Sequence, residues 1–381
     1  MINLNFTAPC HFGLEKTLQF EIKRAGGENI TVTDGRILFE GSPEVLIRAN
    51  ISCSVAERIG VVLARFRAES FDDVYDNLKT LPLGDFLEKD AAFPVVKGQS
   101  VNSKLTSIPA LQRTVKKALA EAMSRIYKTS TLPETGAVYP IRFFLYKDEM
   151  TVFFDSSGEG LHKRGYREKA GAAPIKETLA AGIIDIAKIR QGEIIIDPFC
   201  GSGTILIESV FKALNIPPCI SRSFISEKWG FIPANLWSEQ RELLRTGIKK
   251  DAAFEALGFD IDEACAALTL ENAKKAGVAD YIKAEKRAIK DFKFPESAEP
   301  CKIITNPPYA ERMLEKADTE RIYRDMGVNL TPLNDNKLYV ITSDENFEAY
   351  FGQKAAKNRK LYNGMLMCRL YLFTANENSN K

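Results

Sequence analysis

Apolar positions in the first 65 residues come in short bursts that switch between a period of two and a helical period. Ile2–Ala8 reads as a strand, and Gly13–Ala25 as a helix stopped before Gly26–Gly27. Thr31–Thr33 and Arg36–Phe39 flank Asp34–Gly35, a dipeptide that favours a tight hairpin turn. Ser42–Ala49 reads as a second helix and Ile59–Arg67 as a fourth strand. The order strand–helix–strand–strand–helix–strand is a split β-α-β arrangement.

Residues 70–155 repeat the mixture in a second α+β unit. Phe71–Thr80 is expected as a helix and Phe93–Val96 as a strand. Ile108–Ser130 is a long amphipathic helix, with Leu111, Val115, Leu119, Met123 and Ile126 on one face. Ile141–Tyr146 and Met150–Asp155 pair as strands across Lys147–Asp148. From about Ala173 strands alternate with helices, the signature of a parallel α/β sheet. Pro174 suits the first turn of a helix running to Ile189. Glu193–Asp197, Ala256–Asp260, Cys301–Thr305 and Leu338–Ser343 are short apolar runs that suit fully buried strands. Lys360–Tyr362 and Met365–Phe373 are expected to close the sheet as an antiparallel pair.

Composition narrows the chemistry. The 381 residues include seven cysteines and two histidines, with no C-x-x-C pair, so no zinc site and no other metal is expected. The cysteines read as reduced core residues of a cytoplasmic protein. No apolar run approaches the ~20 residues of a membrane span, and the N-terminus lacks the basic-then-apolar order of a signal peptide. Net charge is only +2, but it is unevenly spread. Residues 97–147 hold nine basic side chains, among them Lys97, Lys104, Arg113, Lys116 and Lys117, against Glu121 and Glu134. Such a stretch is either a phosphate-binding footprint or an ordinary solvated helix face.

The first chemical signature is Asp197-Pro198-Phe199-Cys200-Gly201-Ser202-Gly203-Thr204, between an expected strand and the expected helix Ile205–Leu214. A glycine-rich turn there lets a ligand approach the backbone and meet helix N–H groups. The spacing is not G-x-G-x-x-G, and no G-K-[ST] follows, which excludes a P-loop. The next acidic strand end, Asp260 in Gly258-Phe259-Asp260-Ile261-Asp262, lies 63 residues on, not the ~20 of a dinucleotide fold. An acid at that place can accept both ribose hydroxyls of an adenosine. Without phosphate-binding machinery, S-adenosylmethionine (SAM) is the better fit.

The second signature is Asn306-Pro307-Pro308-Tyr309, directly after the strand Cys301–Thr305. Two consecutive prolines can continue neither ladder nor helix, so they fix a stiff turn at the strand's carboxyl end. This suits methylation of an exocyclic base amine, whose lone pair is delocalised into the ring. The Asn306 side-chain carbonyl and the Pro307 main-chain oxygen can accept its N–H groups and favour a pyramidal nitrogen. Tyr309 offers a flat face for a flipped base. Such a turn needs no cysteine nucleophile, so Cys200 is read as part of the cofactor loop.

These motifs, together with Leu161–Arg167, Ala173–Ala180 and Asn358–Gly364, resemble the THUMP-containing class I SAM-dependent RNA methyltransferases, among them bacterial large-subunit rRNA guanine-N2 methyltransferases. The resemblance implies a ferredoxin-like domain at 1–65, a THUMP domain at 66–157, and a Rossmann-like methyltransferase domain with a mixed seven-stranded sheet at 163–381. It implies that Asp197, Phe199, Gly201, Gly203 and Thr204 line the SAM pocket, that Asp260 holds the ribose with Ile261 beside it, and that Thr178 touches the methionine end. Asn306 counts for both cofactor and base, and Pro307, Pro308 and Tyr309 hold the base. Ala310 replaces the family's usual glycine. Ala288 stands near where relatives place an acidic or amide side chain for the adenine amine, with Asp291 as the candidate substitute.

Lys163, Arg164 and Arg167, with Tyr166, are expected either as an RNA-facing linker or as an interdomain packing segment. The expected function is SAM-dependent methylation of an RNA base amine by a monomer. Guanine N2 of 23S rRNA is preferred, with adenine N6 or tRNA guanine N2 as alternatives. A non-catalytic RNA-binding assembly factor is the alternative from another class.

Overall fold

The computed structural model describes residues 3–167, 175–295, 301–308, 316–332, 335–364 and 366–375. Its contacts divide into two compact units that interleave along the chain. The first holds residues 1–9, 19–161 and 221–244, and the second holds 10–18, 162–220 and 245–381.

The first half of the chain forms β1 (Leu4–Pro9), α1 (Glu15–Arg24), β2 (Glu28–Thr33), β3 (Arg36–Gly41), α2 (Pro43–Ser52), β4 (Gly60–Arg67), α3 (Phe71–Leu78), β5 (Val95–Val101), α4 (Ile108–Tyr127), β6 (Ile141–Tyr146) and β7 (Glu149–Asp155). The strands make one sheet in the order β2-β3-β1-β4-β7-β6-β5. The ferredoxin-like strand order is present at one end, and β4 continues the sheet by pairing antiparallel with β7 from Gly60↔Asp155 to Arg67↔Glu149. The two expected α+β units therefore share one seven-stranded sheet.

Several element boundaries differ from expectation, and the expected helix start at Pro174 lies outside the described residues; two of the shifts have local reasons. β5 starts at Val95, because Pro94 has no N–H to give a ladder, and it runs on to Val101. Gly98 makes that possible: a Cβ there would come within 2.0 Å of the Phe143 ring, which lies across the strand. Helix α4 ends at Tyr127, before the expected Ser130, because Lys128 turns left-handed with φ 48° and caps it. Its buried face is Leu111, Val115, Ala118, Leu119, Ala122 and Met123.

Residues 221–244 complete this unit. Trp229 is almost fully buried. It stacks on Tyr139 with ring centroids 4.9 Å apart and donates its indole N–H to the Val138 carbonyl at 2.9 Å. The Tyr139 hydroxyl accepts from the Gly230 N–H at 3.1 Å, and Arg222 donates to the carbonyls of Ser157, Glu159 and Gly160.

The rest of the chain forms α5 (Glu177–Ala187), β8 (Ile194–Asp197), α6 (Thr204–Ala213), α7 (Leu236–Thr246), β9 (Glu255–Asp260), α8 (Glu263–Lys275), β10 (Ile282–Lys286), β11 (Cys301–Thr305), α9 (Lys316–Asn329), β12 (Lys337–Thr342), α10 (Phe347–Phe351), β13 (Lys357–Asn363) and β14 (Leu366–Thr374). Strand order in the second unit is β10-β9-β8-β11-β12-β14-β13. The first five strands run parallel, β14 is antiparallel to β12, and β13 to β14. This is the mixed seven-stranded sheet expected of a class I methyltransferase. Residues 10–18 belong here: Leu14 fills the space over Gly182 of α5, where a Cβ would lie 2.3 Å from Leu14 Cδ1.

Truncating a large buried aromatic typically costs about 3–5 kcal/mol. Trp229→Ala is therefore expected to destabilise the first unit by that amount, although Trp229 lies in the half of the sequence that carries the methyltransferase motifs. Denaturant unfolding of the two proteins checks it; a loss below ~1 kcal/mol would contradict the assignment.

Candidate active site

In an open parallel sheet, ligands bind beyond the carboxyl ends of the strands, where the strand order reverses. Here that place is the end of β8, flanked by β9 on one side and β11 on the other. The three strand ends carry Asp197, Asp260 and Thr305, and hydrogen bonds tie them together. The Thr305 hydroxyl donates to Asp197 Oδ1 at 2.7 Å, and the Gly201 N–H donates to Asp260 Oδ2 at 3.0 Å. The turns that leave β8 and β11 are thereby held by one carboxylate.

The glycine loop needs its glycines. Gly201 has φ +53° and Gly203 φ +79°, and a Cβ on Gly203 would lie 2.8 Å from Thr269 Cγ2 and 3.2 Å from the Thr269 backbone. The loop is pinned from α8: the Thr269 hydroxyl donates to the Gly201 carbonyl at 3.1 Å, and Asn272 Nδ2 to the Ser202 carbonyl at 2.9 Å. Thr269, Asn272 and Thr305 were not singled out from the sequence. The signal for the first two is a pair of polar residues three apart on the inner face of α8.

The crevice fits SAM. A Cβ on Gly201 would meet nothing within 4 Å, so the loop backbone opens onto free space. Asp260 is half-buried, and burial raises its carboxyl above the ordinary value. Next to it Ile261 stands 72% exposed, an apolar surface that a ligand ring can cover. Phe199 is half-buried, and its N–H donates to Asp197 at 3.1 Å. Asp197 itself is fully buried, and burial pushes it up to about 7, with Asp260 a smaller contributor. Among the described residues, no cluster of His, Cys, Asp or Glu could hold a metal ion.

Past Thr305 the backbone leaves the sheet through Asn306, half-buried, and Pro307, buried, with Pro308 half-buried. Tyr309 lies outside the described residues. Asn306 and Pro307 therefore start within one or two residues of the Thr305–Asp197 bond. At the other flank, β10 ends beside Asp260, and the Arg287 N–H donates to the Asp260 carbonyl at 2.8 Å. Ala288 follows, and Asp291 is exposed.

Some expected contacts are placed elsewhere. Thr178 is fully buried, 3.4 Å from His11 Nε2, so it does not line the open crevice. Thr204 is buried too, and its hydroxyl accepts from Arg167 Nη1 at 3.0 Å. The RNA-facing reading of Arg164 and Arg167 is corrected: both are structural. Arg164 is buried with Glu208, Nε to Oε1 3.2 Å, and the Tyr166 hydroxyl joins the same carboxylate at 3.1 Å. Arg167 joins Glu177, Thr204 and the Ile175 carbonyl. Paired carboxylates make a buried guanidinium tolerable, and no local pattern marks Glu208 and Glu177 as those partners. Lys163 is exposed.

In the first unit Lys116 is also partly structural. It pairs with Glu134 at 2.6 Å and lies 3.6 Å above the Phe93 ring. Lys104 is exposed and pairs with Glu69. Lys97, Arg113 and Lys117 are exposed. Arg113 and Lys117, one helical turn apart on α4, border a groove with Pro94, Val95 and Gln112.

Comparison with known proteins agrees with the geometry. Residues 164–371 match the family described as "RMKL-like, methyltransferase domain", 5–60 match "RlmL ferredoxin-like domain", and 68–155 match "THUMP domain". The chain belongs to the THUMP-containing class I SAM-dependent RNA methyltransferases. Within that family it is 39% identical to "Putative RNA methyltransferase YpsC" of Bacillus subtilis strain 168, over 96% of this chain and 94% of that protein. It is 30% identical to "Ribosomal RNA large subunit methyltransferase K/L" of Psychromonas ingrahamii, over 96% of this chain; it spans only 50% of that longer protein. A solved structure, "SMU.472, a putative methyltransferase complexed with SAH", superposes with a TM-score of 0.91 at 33% identity over 99% of both chains. No helix among the described residues is long and apolar enough to cross a membrane.

The buried carboxyl has a pH consequence. Between its ordinary value of 3.8 and about 7, folded Asp197 keeps a proton that the unfolded chain has released. The folded state then binds more protons, so stability falls as pH rises through this window and levels off above it. Asp197→Asn removes that contribution, and its thermal midpoint is expected to fall less between pH 4 and 7 than the wild type's. Equal falls would contradict the assigned burial.

Proposed function

We propose that the chain methylates an exocyclic amine of an RNA base, with guanine N2 of 23S rRNA as the target. The observation that carries the reading is the Thr305–Asp197 bond, which sets the Asn306-Pro307 turn beside the glycine loop. Bound SAM would supply an electrophilic methyl group, the amine nitrogen bonding to that carbon as the carbon–sulfur electron pair returns to sulfur and the amine proton passes to solvent water. Asp260 and the open backbone at Gly201 would hold the adenosine, with Ile261 against its ring. The Asn306 side-chain oxygen and the Pro307 carbonyl accept the amine's two N–H groups, which localises the nitrogen lone pair and orients it. The proline pair keeps both acceptors fixed, so little reorganisation is needed as charge develops.

RNA as the substrate class is supported by the THUMP match and by the names of the relatives. The choice of large-subunit rRNA is supported by the relatives named large subunit methyltransferase K/L, which the chain matches over about half their length; the choice of guanine N2 rests on the resemblance of its motifs to bacterial large-subunit rRNA guanine-N2 methyltransferases. Exposed Lys97, Arg113 and Lys117 give the THUMP part phosphate contacts that do not depend on sequence.

Transfer from labelled SAM to total RNA of a strain lacking the gene, followed by nucleoside mass spectrometry, tests this. The expected product is N2-methylguanosine in large-subunit rRNA. Asn306→Ala is expected to lose at least 10²-fold in turnover, the loss typical of removing one such acceptor or donor, with SAM affinity nearly unchanged. N6-methyladenosine would replace the target base, label in tRNA would replace the substrate, and no transfer to any RNA would refute the reading.

A further inference from the structure

The β13–β14 hairpin carries a feature that the reaction above does not use. Lys360 and Arg369 are direct cross-strand partners. Like charges directly opposite on an antiparallel pair destabilise it. Lys360 is exposed and Arg369 half-buried, and neither ion-pairs with a carboxylate among the described residues. Asp344, Glu345 and Glu348 act on the neighbouring Tyr371, but none bridges to Arg369.

Edge strands often carry lysine to block pairing with another chain, and β13 is an edge. That explanation covers Lys360 and fails for Arg369, which sits on β14, an interior strand between β12 and β13. A cation pair that the fold does not need is better explained by an anion it receives.

Two aromatic rings stand beside the pair. Tyr362 lies two residues from Lys360 on the same strand face and is half-buried. Phe12 leans on it edge-on, with centroids 5.8 Å apart, and remains 52% exposed. Its position is built. The turn His11–Leu14 closes with the Leu14 N–H on the His11 carbonyl at 3.1 Å, and Gly13 takes φ +91°, which in this turn only glycine adopts freely. Gly13 packs against the edge strand, where a Cβ would lie 3.2 Å from the Lys360 carbonyl, and Arg359 donates to the Gly13 carbonyl. A large apolar ring is thus fixed at the surface against Tyr362, one step along the strand face from Lys360 and its partner Arg369, which carry no carboxylate partner among the described residues. β13 is antiparallel to β14, which is antiparallel to β12, so Tyr362 lies toward the same end of the sheet as Thr305.

We propose that Lys360 and Arg369 bind one phosphate of a single-stranded RNA segment flanking the target base, and that Phe12 and Tyr362 stack its adjacent base. This rests on RNA as the substrate. Stacking on aromatic rings and phosphate contacts are the usual means of holding an unpaired strand.

The full-length protein is titrated with a labelled 12-nucleotide single-stranded RNA of mixed sequence at several salt concentrations. K360Q/R369Q is expected to shrink the log–log salt slope by about 0.7, the value for one phosphate on a single strand. Phe12→Ala is expected to weaken binding roughly 5- to 150-fold, the span of one base–aromatic stack. SAM affinity should stay at the wild-type value in both. If the wild type methylates RNA but both variants bind with wild-type slope and affinity, the patch is overturned and the substrate reading stands. If the wild type methylates no RNA, the substrate reading falls and this proposal with it.

Discussion

The hydroxyl of Thr305 on the buried carboxylate of Asp197 is the interaction on which the functional half of this structure depends. A parallel sheet brings the ends of β8 and β11 side by side, but it does not fix the loops that leave them. Each loop could pivot about its strand end. One 2.7 Å hydrogen bond between the last side chains of the two strands removes that freedom. The carboxylate also holds the Phe199 N–H, so the first turn of the glycine loop and the start of the proline turn share one anchor. Burial disfavours the charged form of this carboxyl and raises its pKa. It sits where the glycine loop and the Asn306-Pro307 turn of the proposed reaction leave neighbouring strands.

The same economy of placement runs through the loop itself. Asp260 takes the Gly201 N–H with one oxygen and the Asp262 N–H with the other. Helix α8 then pins the loop carbonyls from behind through Thr269 and Asn272. Positive φ at Gly201 and Gly203 turns the loop into this position without strain. The result is a backbone surface with open space before Gly201, pinned from behind by Thr269 and Asn272, which no ligand need touch.

Much of this was legible in the sequence because the decisive signals are local. Glycine spacing, a proline pair and apolar runs of strand length need no long-range knowledge. β6, β8, β9, β11 and β12 appear within about a residue of expectation. The helices between them were harder to read. The buried face of α8 is Ala266, Thr269, Asn272 and Ala273, small and polar residues that blur an apolar period. Partners distant in sequence were not legible at all. Arg164 and Arg167 look like RNA ligands until Glu208 and Glu177 are found beside them. Lys116 looks free until Glu134 and the Phe93 ring appear. Charge is countable from sequence; its compensation is a property of the fold. Nor does linear order reveal that Trp229, downstream of the glycine loop, packs with Tyr139 in the core of the first unit.

Single-turnover methyl transfer by Thr305→Val, with SAM affinity measured in parallel and Thr305→Ser as the conservative control, tests the role of the strand-end bond most directly. A small misplacement of reacting groups can cost about 10²-fold in rate. The valine protein is therefore expected to slow transfer by at least tenfold while SAM affinity changes little, and the serine protein to recover most of the rate. Wild-type transfer by the valine protein, or a slowing that serine does not reverse, would contradict the role given to this hydrogen bond.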